Sequence, residues 1–296
     1  MNRNRRSRRN VLLAGIVVFG LVLLCGRSRH TTLGTFNIRT FPANETNPEA
    51  VAQAIANLDA DAFAVQEIVD QEAFDRVLAR ARELAGRQYT ATLVPARCLG
   101  TNLDLHLGVV HDEQRFHVTG HSFLGDTGCP EGQPAGMVAR LEDDDGERFV
   151  LTSIHFSAGD SAERRARRAA QWRWIVDALP VIRATFGAPV LVAGDFNSTG
   201  YLRRGDPERL IIDRLVDEHD LQLPTRSLQC SMYWQPEPTL YDISLLDHVV
   251  APASLRVRDA EVLGMCQALR CERQTSAPPD YDAVSDHCPV RVRVDL

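Results

Sequence analysis

The sequence predicts an α/β fold, a four-layered sandwich of two mixed β-sheets flanked by helices. Three observations predict it. Short β-rich runs follow one another from Thr32 to the C-terminus, and several neighbouring runs have no helix between them, as a doubly wound sheet would require. A few segments with apolar residues at helical spacing interrupt them, enough to cover the outer face of each sheet. Residues 189–193 are apolar throughout, the pattern of a central strand buried on both sides.

The elements follow in order. Residues 32–38 read as a strand. Asn47 is a cap with Pro48 at the first helical position, so a helix runs from there through Val51 to Leu58. Residues 62–66 form a buried strand. Phe74, Val77, Leu78, Ala81 and Leu84 recur on one helical face, and Gly86 ends that helix. Residues 89–94, 105–110, 117–123, 136–141 and 149–156 are strands parted by turn-rich pieces such as Asp144-Asp145-Gly146. A third helix spans about 161–179 with Trp172, Ile175, Val176 and Leu179 inward. Residues 206–218 are helical, and 246–250, 255–257 and 289–294 are strands. No repeat or composition break marks a second domain, so one domain covers residues 31–296.

At 296 residues and 44% hydrophobic, the chain has ample material for a core, which excludes disorder and collagen-like structure. Every basic residue is Arg. Without an ammonium side chain, Schiff-base chemistry, the Walker phosphate loop and kinase chemistry are excluded.

Residues 1–30 hold seven arginines and no acid, leaving 26 of the 33 basic residues against all 39 acids in the remainder, a formal −13. Five arginines precede an apolar run at residues 11–25, the layout of a signal or signal anchor, so residues 1–30 are set apart from the fold. The run is short for a spanning helix. Cys25 closes it as a lipoprotein cysteine would, and Ser7-Arg8-Arg9-Asn10-Val11-Leu12 resembles a twin-arginine signal. The expectation is an exported domain, periplasmic or extracytoplasmic, with membrane association or lipidation through residues 11–25. Six cysteines remain in the body, an even number that suits an oxidising compartment, with pairing left open. No Cys/His spacing suggests structural zinc.

Strand after strand ends in a polar residue that an apolar sheet would not choose. Asn37 follows Gly34-Thr35-Phe36, Glu67 follows Phe63-Ala64-Val65-Gln66, and His155 follows Leu151-Thr152-Ser153-Ile154. Asp195 and Asn197 follow residues 190–194, Asp247 follows Leu245-Leu246, and Asp286-His287 follow Val284-Ser285. In an extended chain Asp195 and Asn197 point to one face and Phe196 to the core. Asp247 and His248 face opposite ways, and Asp247 is expected to enter the site.

These blocks, from Gly34-Thr35-Phe36-Asn37-Ile38-Arg39 through Gln66-Glu67, Ile154-His155, Gly194-Asp195-Phe196-Asn197 and Leu246-Asp247-His248 to Ser285-Asp286-His287, resemble the endonuclease/exonuclease/phosphatase superfamily. The first block resembles pancreatic-type deoxyribonucleases in particular, and the likeness covers residues 31–296. It implies Glu67 as principal metal ligand with Asn37 and Asp286 beside it. It implies His287 and Asp247 as a proton-handling or phosphate-holding dyad, Asp195 and Asn197 positioning the nucleophile, and His155 donating to a phosphate oxygen or the leaving group, oriented by Asp104. Converging carboxylates with no Lys among them also call for a cation, and hard oxygen ligands suit Mg²⁺, Mn²⁺ or Ca²⁺.

The expected function is a metal-dependent phosphodiester hydrolase, nuclease-like, acting on a phosphodiester substrate such as nucleic acid, with no obligate protein partner. The alternative is a phosphoesterase of the same family acting on a phospholipid head group, such as sphingomyelin, or on a small phosphate ester. An apolar hairpin beside the site would favour lipid, and none is evident. A non-catalytic binding module predicts lost ligands, whereas the set is complete. Val69, Asn102 and Gly132 or Gln133 stand near positions where the deoxyribonucleases contact DNA through other residues, which weakens the case for DNA itself. The run Arg164-Arg165 and Arg167-Arg168 reads as the solvated side of the third helix.

Overall fold

In the computed structural model, which describes residues 30–43, 45–99, 104–125 and 128–296, the chain opens with β1 (Thr31–Phe41), α1 (Pro48–Leu58), β2 (Ala62–Ile68), α2 (Gln71–Ala85), β3 (Tyr89–Pro95) and β4 (His106–Asp112). It continues through β5 (His117–Leu124), β6 (Ala135–Glu142), β7 (Arg148–His155), α3 (Ala162–Phe186), β8 (Val190–Asp195) and α4 (Pro207–Glu218). The last part carries β9 (Leu221–Gln222), a 3₁₀ turn (Pro224–Ser227), β10 (Met232–Glu237), β11 (Leu240–Ser244), β12 (Asp247–Pro252), β13 (Arg256–Val262), α5 (Gly264–Ala268) and β14 (Val290–Asp295). The signal or anchor segment, its Cys25, and Asn102 lie outside the described residues. Among the described residues, no helix is long and apolar enough to cross a membrane.

The helix starts are written locally. The Asn47 side chain accepts from the amides of Glu49 and Ala50, and Asp70, Ser161 and Asp206 cap α2, α3 and α4 in the same way. Gly86 and Gly187 end α2 and α3 in the left-handed region.

The strands form two six-stranded sheets, ordered β13-β14-β1-β2-β4-β3 and β5-β6-β7-β8-β12-β9. Each is mixed: β1 runs parallel to β2 and β7 to β8, while β14 and β12 join them antiparallel. Leu33, Ala64 and Val109 of the first sheet pack against Met137, Leu151 and Leu191 of the second. Phe63, Val65 and Ile68 on the outer face of the first sheet bury α1 and α2 through Ile55 and Phe74. Val150, Val190 and Val192 do the same for α3 and α4 through Trp172 and Ile212. The result is the predicted four layers, and the parallel pairs β1-β2 and β7-β8 end at the same edge of the sandwich.

Three features depart from the sequence reading. Helix α3 continues past Pro180 to Phe186, because Pro180 sits on the exposed side and Ile182, two residues on, packs into the core. Arg168 is not solvated. It is fully buried, its Nε donates to Glu208, Nη1 to the carbonyl of Ser157 and Nη2 to Thr199 Oγ1, while Glu208 Oε2 accepts from the amide of Gly200. One ion pair thus rivets the loop after β7 to the loop after β8. Finally, β10 and β11 form a separate hairpin beside the edge where the parallel pairs end.

Candidate active site

At that edge the chain breaks regular strand geometry where the polar residues stand. The β1-β2 register shifts between Asn37 and Phe41, and the β2-β4 register between Val65 and Ile68. Glu67 lies in that bulge with φ +65°, and Asn197 has φ +50°. Left-handed conformations at non-glycine residues are costly and collect at functional sites. Gly194 is required as well, since a Cβ there would lie 2.1 Å from the carbonyl oxygen of Ile154. Asp195 and Asn197 therefore do not share a strand face, as extended geometry would have it. Asn197 turns back, its amide donating to Asp195 Oδ1 at 2.8 Å and its Nδ2 to Asp195 Oδ2 at 3.0 Å, while Phe196 stays in the core.

Both sheets contribute to one cluster. Asn37 Nδ2 donates to Glu67 Oε1 at 2.9 Å and to Asp195 Oδ2 at 3.0 Å, tying β1 and β2 of one sheet to β8 of the other. His155 Nε2 stands 3.6 Å from Glu67 Oε1 and 3.5 Å from Asp195 Oδ2. His287 Nδ1 meets Asp247 Oδ2 at 2.8 Å, and its Nε2 faces Asp195 Oδ2 at 3.7 Å. Asp195 is thus shared by two groups, Glu67-His155-Asp195 and Asp195-Asp247-His287, each with its ligand atoms within 4.8 Å of one another. Asp286 is half-buried at the rim of this cluster, within the electrostatic reach of Arg39 and Glu67, and the Ser285 hydroxyl lies 3.5 Å from its carboxylate.

Burial and charge set the protonation. Burial raises Asp195 to about 6, with Asp247 adding to the effect against His287 and His155. Burial likewise raises Asp286. Burial alone would lower His287, but Asp247 and Asp195 outweigh it and hold the ring well above its ordinary value. Burial works against ionised Glu67, yet His155, the Asn37 hydrogen bond and the Thr40 amide keep it low. A half-buried carboxylate, beside an ionised one and an amide, is a hard-oxygen donor set. Glu67 lies with His155 and Asp195 in a group whose ligand atoms are within 4.8 Å of one another, and the Asn37 side-chain oxygen, which accepts from the Arg39 amide at 3.0 Å, keeps a second lone pair, so the oxygen donors gathered here suit a hard divalent cation.

Several supporting residues escaped the sequence reading. Thr40 holds Glu67 Oε2 through its amide at 2.9 Å and its hydroxyl at 3.2 Å. Ser231 Oγ donates to Asp247 Oδ2 at 2.7 Å and accepts from the Asp247 amide at 3.0 Å. Ser285 Oγ donates to the Asn37 carbonyl at 2.8 Å and accepts from the His287 amide at 3.1 Å. Disulfides Cys230–Cys271 and Cys266–Cys288 fix the residue before Ser231 and the residue after His287, and Cys98–Cys129 joins two loops at the same edge. No sequence signal separates these serines and threonines from ordinary loop residues. Asp104 does not orient His155: it is exposed, and the buried His155 Nδ1 has no hydrogen-bond partner among the described residues.

A match to the endonuclease/exonuclease/phosphatase family model spans residues 34–287, bracketing every residue of the cluster. The chain belongs to this family. Family members are hydrolases that act on phosphoesters and usually use divalent metals. Solved structures agree on the fold. The human nocturnin catalytic domain superposes with a TM-score of 0.63 at 17% identity, covering 90% of this chain and 94% of that one. A mannosyl-6-phosphatase from Bacteroides thetaiotaomicron gives 0.60 at 16%, covering 89% and 99%. Truncated TDP2 from Caenorhabditis elegans gives 0.59 at 17%, covering 90% and 97%. No curated protein matches the sequence.

His248, beside the dyad, has a different task. It is fully buried against Phe196 and Tyr201, with Nδ1 3.0 Å from Thr225 Oγ1, and burial pushes it down to about 4. The unfolded chain would protonate it near 6.5, so the folded state is favoured above that pH and loses this advantage as pH falls from 6.5 through 4. The loss is on the order of 3 kcal/mol. Denaturation of H248N across this range is expected to show a shallower acid limb than the parent, and parallel limbs would contradict the assignment.

Proposed function

We propose that this hydrolase cleaves phosphodiesters in a nuclease-like manner with a divalent cation, and that it does so outside the cytoplasm. The observation that carries the reading is Asp195, a buried carboxylate shared between a cation-type group and a histidine dyad. Glu67, Asn37 and Asp286 would hold the cation, which when bound neutralises charge on the phosphoryl oxygens. Asp195, aligned by Asn197 and Asn37, accepts the proton of the attacking water. His287, flanked by Asp247 and Asp195, is a poor base and a good cation, so it grips a phosphate oxygen. His155 donates to a second phosphate oxygen or to the leaving group.

Three disulfides support an exported domain. The lipid reading is less well supported, because the exposed hairpin tip carries Gln235 and Glu237 between its prolines, leaving Trp234 as the one exposed large hydrophobic of that hairpin among the described residues. The test offers the purified protein supercoiled plasmid, RNA, sphingomyelin, mannose 6-phosphate and bis-p-nitrophenyl phosphate in parallel. Cleavage of the chromogenic diester and of at least one nucleic acid is expected. Turnover confined to mannose 6-phosphate or sphingomyelin would replace this reading with the corresponding one.

A further inference from the structure

One hollow of about 850 Å³ lies at the opposite pole under the end of α3 and the start of β8, remote from the cluster. A second cleft, of about 540 Å³, opens directly from Asn197. Met232, Trp234 and Asp242 of the β10-β11 hairpin form one wall, Leu202 and Arg203 of the loop after β8 form the other, and Arg273 stands at the rim. Alternation along β10 turns Met232 and Trp234 to one side and buries Tyr233 on the other, among Cys230, Met265 and Cys266.

The hairpin is fastened to the catalytic cluster. The Tyr233 amide donates to the carbonyl of Asp286 at 3.0 Å, Met232 pairs with His287 across a bridge, and the Tyr233 hydroxyl donates to the Glu272 carbonyl at 2.9 Å. Trp234 therefore stands at a fixed place beside the dyad. Among the described residues the exposed large hydrophobics are Val69, Val181, Leu210 and Trp234, and only the last is aromatic. An exposed indole anchored next to a phosphate-handling site is a ready stacking face.

We infer that this cleft binds the nucleobase of the nucleotide next to the scissile phosphate, with Trp234 as its stacking face and Arg203 and Arg273 contacting neighbouring phosphates. The inference deepens the phosphodiesterase reading and rests on it. The chemistry of the walls selects this occupant. Arg203 lies 4.0 Å from Asp160 and Arg273 2.7 Å from Asp242, and both arginine side chains remain more than half exposed. An acyl chain would set these two ion pairs against hydrocarbon, and a bare sugar phosphate would leave Trp234, Met232 and Leu202 without an apolar partner. A base has a flat π-face for Trp234 and a polar edge for Asp160 or Asp242, and its backbone phosphates suit the arginines.

The test uses two readouts on the parent, W234A and W234F. Hydrolysis is compared on thymidine 5′-(p-nitrophenyl phosphate), which carries a base, and on methyl p-nitrophenyl phosphate, which does not. W234A is expected to lose roughly 10- to 100-fold in kcat/KM on the nucleotide ester, mainly through KM, and to keep its rate on the methyl ester. W234F should stay within about threefold on both, since a phenyl ring preserves a stacking face. Equal losses on both esters, or none on either, would overturn the subsite.

The second readout is quenching of tryptophan fluorescence by deoxyadenosine 5′-monophosphate. Saturable quenching that vanishes in W234A supports the subsite, while a response to sphingomyelin micelles with none to the nucleotide overturns it. If neither ester is hydrolysed, the phosphodiesterase reading falls, and the quenching arm alone decides whether the cleft takes a base.

Discussion

E67Q is expected to lower kcat on bis-p-nitrophenyl phosphate by about 10³-fold or more, with a fall in melting temperature too small to account for the lost activity. A cation that stabilises transition-state charge contributes several kcal/mol, and each 1.36 kcal/mol is tenfold in rate. Glutamine keeps the size of the side chain and one oxygen for the Thr40 amide and hydroxyl, but it removes the charge that holds a cation. Its new NH2 group faces the Asn37 Nδ2 donor, and the contacts that hold Glu67 ionised lose strength, so a modest loss of stability is expected. Binding of Mn²⁺, followed by titration calorimetry or by electron paramagnetic resonance, should weaken in parallel. A variant that binds the ion and turns over normally would place the metal elsewhere.

The second large effect is expected at His287. H287A removes the cation between Asp247, which is fully buried, and Asp195, which is nearly so. Activity should fall by about 10³-fold as the transition state loses a charged donor. Stability should fall too, by roughly 3–5 kcal/mol at neutral pH, because two buried carboxylates then face each other with Ser231, the asparagines and His155 for partial relief. The double variant D247N/H287A separates the two effects. It should recover part of the lost stability, since the orphaned charge is gone, and none of the activity. Urea denaturation followed by circular dichroism, beside the diester assay, measures both. An H287A protein as stable and as active as its parent would remove the dyad from the account.

The layers were legible in the sequence because most long strands and the first, second and fourth helices keep their periodicity uninterrupted, as in residues 62–66 and 189–193. What escaped is local. β9 has two residues and carries no pattern, and β13 runs to Val262, past the strand expected at 255–257, because Arg258, Asp259 and Glu261 interrupt its apolar residues on a half-exposed edge. The β10-β11 hairpin encloses Pro236 and Pro238, which suppress a strand reading although Trp234 and Tyr233 favour it. The expected third helix stops at about residue 179, whereas α3 runs on through Pro180, where packing of Ile182 offsets the hydrogen bond that a proline removes.

At the site, residue types were readable from their place at strand ends, while their conformations were not. Nothing in Gln66-Glu67 or Phe196-Asn197 announces a left-handed backbone, and nothing in Arg167-Arg168 announces that one guanidinium is solvated and the next is buried against Glu208. Pairwise alternation handles extended chain, and Glu67 and Asn197 are residues that leave it.

The account turns on Glu67, Asn37 and Asp286 holding a divalent ion at a cluster that cuts a P–O bond. The most direct measurement is hydrolysis of bis-p-nitrophenyl phosphate by the purified protein after exhaustive chelation and again after addition of Mg²⁺ or Mn²⁺. The account predicts that turnover disappears in chelator and returns with the ion in the parent, and fails to return in E67Q. Undiminished hydrolysis in the presence of excess EDTA would contradict it.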